Sequence, residues 1–187
     1  MSVRFVLRSA TADDHERLDA LFSRFDLTHR GGYGDFLLAQ AGGFLGVEEA
    51  LDRAGIADVV PDWPDRRRSN ALVADLTALD MAPPPPSPAP SFFGEAAMLG
   101  GLYVLEGSRL GGAMLVRAVP DDLPKSFLSG GNPAAWRAFV HLLDQRLSSE
   151  PEVAAAARAA ADVFETFASS ARRTLGEDDL AVRNRHG

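Results

Sequence analysis

Three observations predict an all-α, multi-helical bundle. Apolar residues recur near the helical period along most of the chain, as at Leu72, Leu76 and Leu79, and clean alternation of the strand type is absent over any useful length. Helix-start signals stand ahead of the apolar stripes, among them Asn132–Pro133 and Ser149 with Glu152 three residues on. With 187 residues, 46% of them hydrophobic, the chain can close a core as one domain without metal or disulfide staples.

The elements follow in order. Thr11, with Asp14 three residues later, is placed to start a first helix that runs to about Arg24. Gly31 and Gly32 end the next connection. A second helix covers about Tyr33 to Ala54, where Gly42, Gly43 and Gly46 are weak points for a bend and Gly55 is a stop. Asp62 before Pro64 starts a third helix that reaches about Asp80. Six prolines in the eight residues from Pro83 to Pro90 force an extended internal connection of roughly 25 Å at about 3.1 Å per residue. This reads as a stiff spacer rather than a docking motif for an SH3-type partner. Ser91 opens a fourth helix, which meets a glycine cluster after Leu105. Pro120 and Pro124 bracket a short link. Asn132 starts a helix to about Leu147, and Ser149 starts the last, to about Leu175, ahead of a polar tail over 176–187.

Composition excludes several chemistries. The absence of cysteine rules out a disulfide framework, thiolate metal sites, a cysteine nucleophile and covalent cofactor attachment through Cys-x-x-Cys-His. A net charge of −7 points away from nucleic acid as a partner. No stretch reaches the roughly 20 apolar residues of a membrane span, and no signal-peptide pattern opens the chain. The expected location is cytoplasmic.

Two features carry candidate chemistry. His15, Leu18, Phe22 and Phe25 fall at i, i+3, i+7 and i+10, so the imidazole shares the stripe that faces the core. Asp19, at i+4 from His15, can accept a hydrogen bond from one ring nitrogen, the arrangement that metal-bound histidines use; a plain His–Asp pair at the core edge is the alternative. The second feature is the run Gly-Gly-Leu-Tyr-Val-Leu-Glu-Gly-Ser-Arg-Leu-Gly-Gly, residues 100 to 112. Each interior glycine costs a helix about 0.5–1 kcal/mol relative to alanine. Gly107 and Gly111 share a face where bare backbone can approach a flat ligand or, as the alternative, another helix. The spacing matches neither a P-loop nor Gly-x-Gly-x-x-Gly. Together an inward imidazole and a glycine-flattened helix would wall a slot suited to haem.

The segments Leu7 to Asp19 (Leu-Arg-Ser-Ala-Thr-Ala-Asp-Asp-His-Glu-Arg-Leu-Asp) and Tyr103 to Gly112 (Tyr-Val-Leu-Glu-Gly-Ser-Arg-Leu-Gly-Gly) resemble the proximal and distal helices of the haem oxygenase family. They look most like its bacterial, biliverdin-producing branch associated with bacteriophytochromes. The resemblance implies a haem oxygenase-like helical bundle. His15 would be the iron ligand with Asp19 as its carboxylate, and Gly107, Ser108, Gly111 and Gly112 would roof the haem, which is substrate and cofactor at once. It implies O₂-dependent opening of haem to biliverdin with release of CO and iron, fed by an external ferredoxin or reductase, with a bacteriophytochrome as recipient of the product. Many family members have an aspartate where this chain has Ser108, and a hydroxyl holds water without supplying charge. No distal His–Arg pair of the peroxidase kind is expected.

For the haem carboxylates the sequence offers Arg158 first, then Arg109, with Arg8 and Arg17 behind them. Arg66, Arg67 and Arg68 read as a solvated helix face or a docking patch for an acidic electron donor. His29, His141 and His186 read as structural or exposed. A di-iron carboxylate centre fails for want of Glu-x-x-His pairs, and the related thiaminase-like proteins need a cysteine. A non-catalytic haem- or bilin-binding protein on the same fold, and a helical interaction module whose glycines serve packing alone, are the competing readings.

Overall fold

The structure is a computed structural model and describes residues 2–177. The described residues form nine helices and no strand: α1 (Val3–Ala10), α2 (Ala12–Phe22), α3 (Arg30–Ala54), α4 (Ile56–Val59), α5 (Trp63–Arg66), α6 (Ser69–Ala78), α7 (Glu95–Leu115), α8 (Pro133–Arg146) and α9 (Glu150–Thr174). The all-α, multi-helical bundle predicted from the sequence is the fold. Among the described residues no helix is long and apolar enough to cross a membrane. The end of the polar tail and His186 lie outside the described residues.

α9 is the central post. α7, α3, α2 and α1 all pack on it, while α6 lies against α3 and α8 joins α1 and α7. The shared core is built from large buried side chains such as Phe36, Phe44, Leu99, Leu102 and Phe139, with alanines of α9 at its closest contacts. α9 starts where its sequence says it should. Ser149 and Glu152 form a reciprocal capping box, and Asn132 Oδ1 accepts from the Ala134 and Ala135 amides to start α8.

Elsewhere tertiary contacts override local signals. Thr11 does not cap: its hydroxyl donates to Leu7 O at 2.9 Å and closes a helix, α1, that the sequence reading lacks. α1 is held by Val3 and Leu7, both buried, and by Asp144, whose carboxylate accepts from the Val3 amide at 2.7 Å and the Ser2 hydroxyl at 3.1 Å. Gly31 and Gly32 sit inside the first turn of α3 rather than in a connection. α3 then runs unbroken for 25 residues. Its internal glycines mark close approaches instead of bends: a Cβ on Gly43 would meet the Phe167 ring at 2.4 Å, and one on Gly46 would meet Ser87 O at 2.3 Å.

The third predicted helix is two, α5 and α6, broken at Arg67. The break is made from a distance, because the buried Glu48 carboxylate of α3 accepts from the Arg68 amide, the Ser69 amide and the Ser69 hydroxyl and so starts α6 afresh. The proline connection lies along α3 and α9 as an extended strap. Its residues Pro84, Ser87 and Pro90 turn inward at the three-residue period of polyproline II, and the Ser87 amide donates to Gly42 O at 2.7 Å. α7 begins at Glu95, not Ser91, because Phe92 first turns into the core against Gly101 and Gly94 takes a φ of 83° to start the helix.

Gly100 is the point where α7 rests on α9: a Cβ there would stand 2.1 Å from Ala156 O, which is backbone and cannot yield cheaply. Gly100→Ala is therefore expected to lower unfolding free energy by about 1–3 kcal/mol, measured by urea titration.

Candidate functional site

α2 and α7 both pack on α9 but make little contact with each other, and the space between them is a cleft of about 660 Å³. That volume is within the range of small-molecule and cofactor sites. α2 has no buried residue, although Leu18, Leu21 and Phe22 pack on the core from its edge. Its apolar stripe looks into the cleft, with Leu18 and Phe22 on the wall and Phe164 and Phe167 of α9 lining it from the post. The stripe is half-buried, packed on the core along one edge and open to the cleft along the other.

His15 opens onto this cleft and not onto the core, contrary to the stripe argument: its side chain is 64% exposed. The ring is nonetheless held. Nδ1 lies 3.0 Å from Asp19 Oδ2, and the Phe164 ring packs edge-on with centroids 5.8 Å apart. With Nδ1 engaged by the carboxylate, Nε2 is the nitrogen left for a ligand.

Across the cleft α7 presents Gly107, Ser108, Gly111 and Gly112. Its glycines divide into two kinds. Gly100 and Gly101 serve packing, against Ala156 and Phe92. A Cβ on Gly107 or Gly111 would meet nothing within 4 Å. Helix packing thus explains the first pair and not the second, whose missing side chains leave bare backbone facing open space. Gly112 is buried and in ordinary contact with Leu128, 3.8 Å from Arg68 Nη2 for a notional Cβ.

The cationic residues are not where sequence reasoning put them. Arg158 is exposed on α9 and does not line the cleft. Arg109 turns away, bonding Glu106 Oε1 at 3.2 Å, Gly130 O at 3.2 Å and Arg66 O. Arg17 pairs with Asp14. Arg4 and Arg8 of α1 stand at the cleft beside Tyr103, whose phenol is raised by burial, partly offset by those two charges. Arg8 was among the sequence candidates; Arg4 was not, since its helix was not foreseen.

The Arg66–Arg68 run is not one solvated face: Arg67 is exposed and pairs with Asp52 at 3.0 Å and Glu48 at 3.5 Å, whereas Arg66 and Arg68 are buried. Arg66 is buried and ion-paired to the buried Glu106 of α7 at 3.0 Å and to Asp62 at 2.8 Å. Arg68, 5% exposed, lines the cleft and donates to Ser108 Oγ at 2.8 Å and Phe127 O at 2.9 Å. Ser108 Oγ donates in turn to Leu105 O at 2.7 Å. His29 and His141 play the expected local roles, with Asp26 and Thr28 in a turn and with Gln145 on α8. Among the described residues no group of three His, Cys, Asp or Glu side chains could hold a metal ion, so a metal here would have to bring its other ligands with it.

A helical bundle with a glycine-faced cleft and one free imidazole nitrogen defines the class of protein, and the relatives define it further. No family profile matches the chain. It is 38% identical over 133 residues to a "Heme oxygenase" of Xanthomonas campestris pv. campestris, covering 65% of this chain and 78% of that protein. It is 31% identical over 182 residues to "Heme oxygenase PigA" of Pseudomonas aeruginosa, covering 90% and 91%. Among solved structures, the NO- and CO-bound haem oxygenase of Neisseria meningitidis superposes with a TM-score of 0.81 at 23% identity, over 94% of this chain and 93% of that one. The haem oxygenase of Leptospira interrogans gives 0.70 at 18%, over 92% and 100%. The chain belongs to the haem oxygenase family.

Two expected outcomes follow from the site. Gly111→Ala stabilises the ligand-free protein by about 0.5–1 kcal/mol, because the methyl meets open space and alanine is the better helix former; chemical denaturation reads this directly. Glu106→Ala leaves the buried Arg66 without its closest buried counter-charge and lowers stability by about 3 kcal/mol, visible as a fall in the denaturation midpoint.

Proposed function

We propose that the chain, acting as a single domain, binds haem in the cleft between α2 and α7 and opens it oxidatively to biliverdin, releasing CO and iron. The observation that carries this reading is the open face of Gly107 and Gly111 set across the cleft from a histidine whose Nδ1 is already held by Asp19. The residues present fit haem. Unfilled space lies where two Cβ atoms would be, Leu18 and Phe22 of α2 line the cleft while only partly buried, and among the described residues His15 Nε2 has no hydrogen-bond partner.

His15 Nε2 would hold the iron, and Asp19 would fix the ring and raise its basicity. Haem bound through one imidazole supplies a redox-active iron with an open coordination position for O₂. The backbone at Gly107, Gly111 and Gly112 would lie against the macrocycle and limit how a ligand on that face can tilt. Arg4 and Arg8 at the cleft, rather than Arg158 or Arg109, would meet the haem carboxylates. Phe164 and Phe167 exclude water from the inner wall. Electrons come from a separate ferredoxin or reductase, and a bacteriophytochrome is the recipient that the two helix motifs suggest for the product.

The second reading, a protein that binds haem or bilin without turnover, draws on Ser108. Its hydroxyl is spent on Leu105 O and accepts from Arg68, so it donates nothing into the cleft. One experiment separates the two. Hemin added anaerobically is expected to give a strong Soret band that His15→Ala abolishes and Gly111→Leu alters but retains. Admission of O₂ with a ferredoxin reducing system then replaces the band by bilin absorbance and releases CO. A Soret band that persists under O₂ and electrons establishes the binding protein, and absence of any band sinks both readings.

A further inference from the structure

α1 carries Arg4 and Arg8 to the cleft, and little in its own sequence makes it a helix. It has eight residues, fewer than the roughly 12–15 at which an isolated helix begins to hold in water. Of its large apolar residues Val3 and Leu7 are buried, while Phe5 and Val6 are exposed. Ser2, at the N-cap, makes no capping bond to the helix, and no acidic residue stands in the first turn. Arg4 stands there instead, a cation at the end of the helix where the backbone dipole opposes it.

What α1 lacks comes from α8. Asp144 Oδ1 accepts from the Val3 amide at 2.7 Å and from the Ser2 hydroxyl at 3.1 Å. One carboxylate thereby satisfies an N–H of the first turn and sets a negative charge at the positive end of the helix. For α8 the same residue is badly placed, because it lies in the last turn, where an acid faces the negative end of the dipole. Among the described residues Asp144 has no cationic partner, and both of its side-chain hydrogen bonds go to the start of α1. Its place is explained by α1 and not by its own helix.

Arg4 and Arg8 are one turn apart and share a face of α1. Both line the cleft, and both charges act on the Tyr103 phenol. Arg4 rests over the Phe5 ring at 4.4 Å, and among the described residues no carboxylate pairs with either arginine. Whatever holds α1 in place therefore decides where two positive charges stand against the cleft.

We propose that Asp144 is a positioning residue of the cleft: by capping α1 from α8 it holds Arg4 and Arg8 where the carboxylates of a bound tetrapyrrole meet them. This rests on the haem reading above and adds a specific dependence to it. Loss of Asp144 weakens the grip on the carboxylates and leaves the hold on the iron and on the macrocycle, which α2, α7 and α9 supply, as it was.

The test compares hemin with its dimethyl ester, which has the same iron and ring but no carboxylate charge. Affinity is read by quenching of tryptophan fluorescence, since Trp136 lines the cleft. The wild type is expected to prefer hemin. In Asp144→Ala, α1 is formed for only part of the time, and hemin affinity falls about three- to fivefold, as the loss of one helix cap requires. Affinity for the dimethyl ester stays at the wild-type value, and Asp144→Asn, which keeps an acceptor, recovers most of the loss for hemin. In the ligand-free protein, amide hydrogen exchange of Asp144→Ala is faster in α1 and unchanged in α3 and α9. Equal weakening of both porphyrins, or exchange in α1 that matches the wild type, overturns the proposal. Wild type that takes up both porphyrins with equal affinity overturns it and leaves the haem reading standing, whereas uptake of neither overturns both.

Discussion

The cleft exists because α7 is pinned hard at one end and left bare at the other. At Gly100 its backbone lies on the α9 backbone at Ala156 with no room for a methyl group, and at Gly101 it receives the Phe92 ring. From there α7 runs on unbroken, carried by Leu102, Val104 and Leu105 in the core, to Gly107 and Gly111, where a Cβ would meet nothing within 4 Å. Without the close seat at Gly100 the far half would have to find its own packing, and the space opposite α2 would close. The same residue type thus does two opposite jobs within one helix: it removes bulk to allow contact, and it removes bulk to keep a gap.

Charge is distributed with a matching logic. The chain is acidic overall, yet three arginines, Arg66, Arg68 and Arg109, converge behind and beside the glycine-bearing half of α7. Two of them share Glu106, which anchors α7 to the short α5 and its following turn. A buried ion pair of this kind adds little net stability compared with an apolar filling, but it fixes register, because neither partner tolerates displacement. Arg68, left out of that sharing, lines the cleft and bonds Ser108 Oγ and Phe127 O.

How much of this was legible in the sequence depended on the distance over which each element is decided. α8 and α9 start on caps made by residues two or three positions away, Asn132 and Ser149, and both were placed nearly to the residue. His15 and Asp19 are one helical turn apart, so their pairing followed from spacing alone. α1 escaped notice because only Val3 and Leu7 bury, and its cap comes from Asp144, 141 residues along. The break between α5 and α6 is imposed by Glu48, 20 residues before Arg68. Arg68 itself reads as one of three adjacent surface charges until Ser108, 40 residues later, is brought beside it. Glycine counts signalled that α7 was special but did not separate the glycines that pack from those that face space. His15 shows the limit from the other side: the period put it on the right stripe, but that stripe borders a cleft rather than a filled core.

The strap between α6 and α7 has a consequence of its own. Ser87 is buried between half-buried Pro84 and Pro90, three residues to either side, its amide donates to Gly42 O of α3, and next to it Ala89 packs on the core and Pro88 O accepts from Thr166 of α9. Removing or adding one residue would rotate everything beyond it by a third of a turn and present the wrong side to the bundle. It behaves as a ruler graduated in threes, tolerant of what most of its outward residues are and intolerant of how many there are.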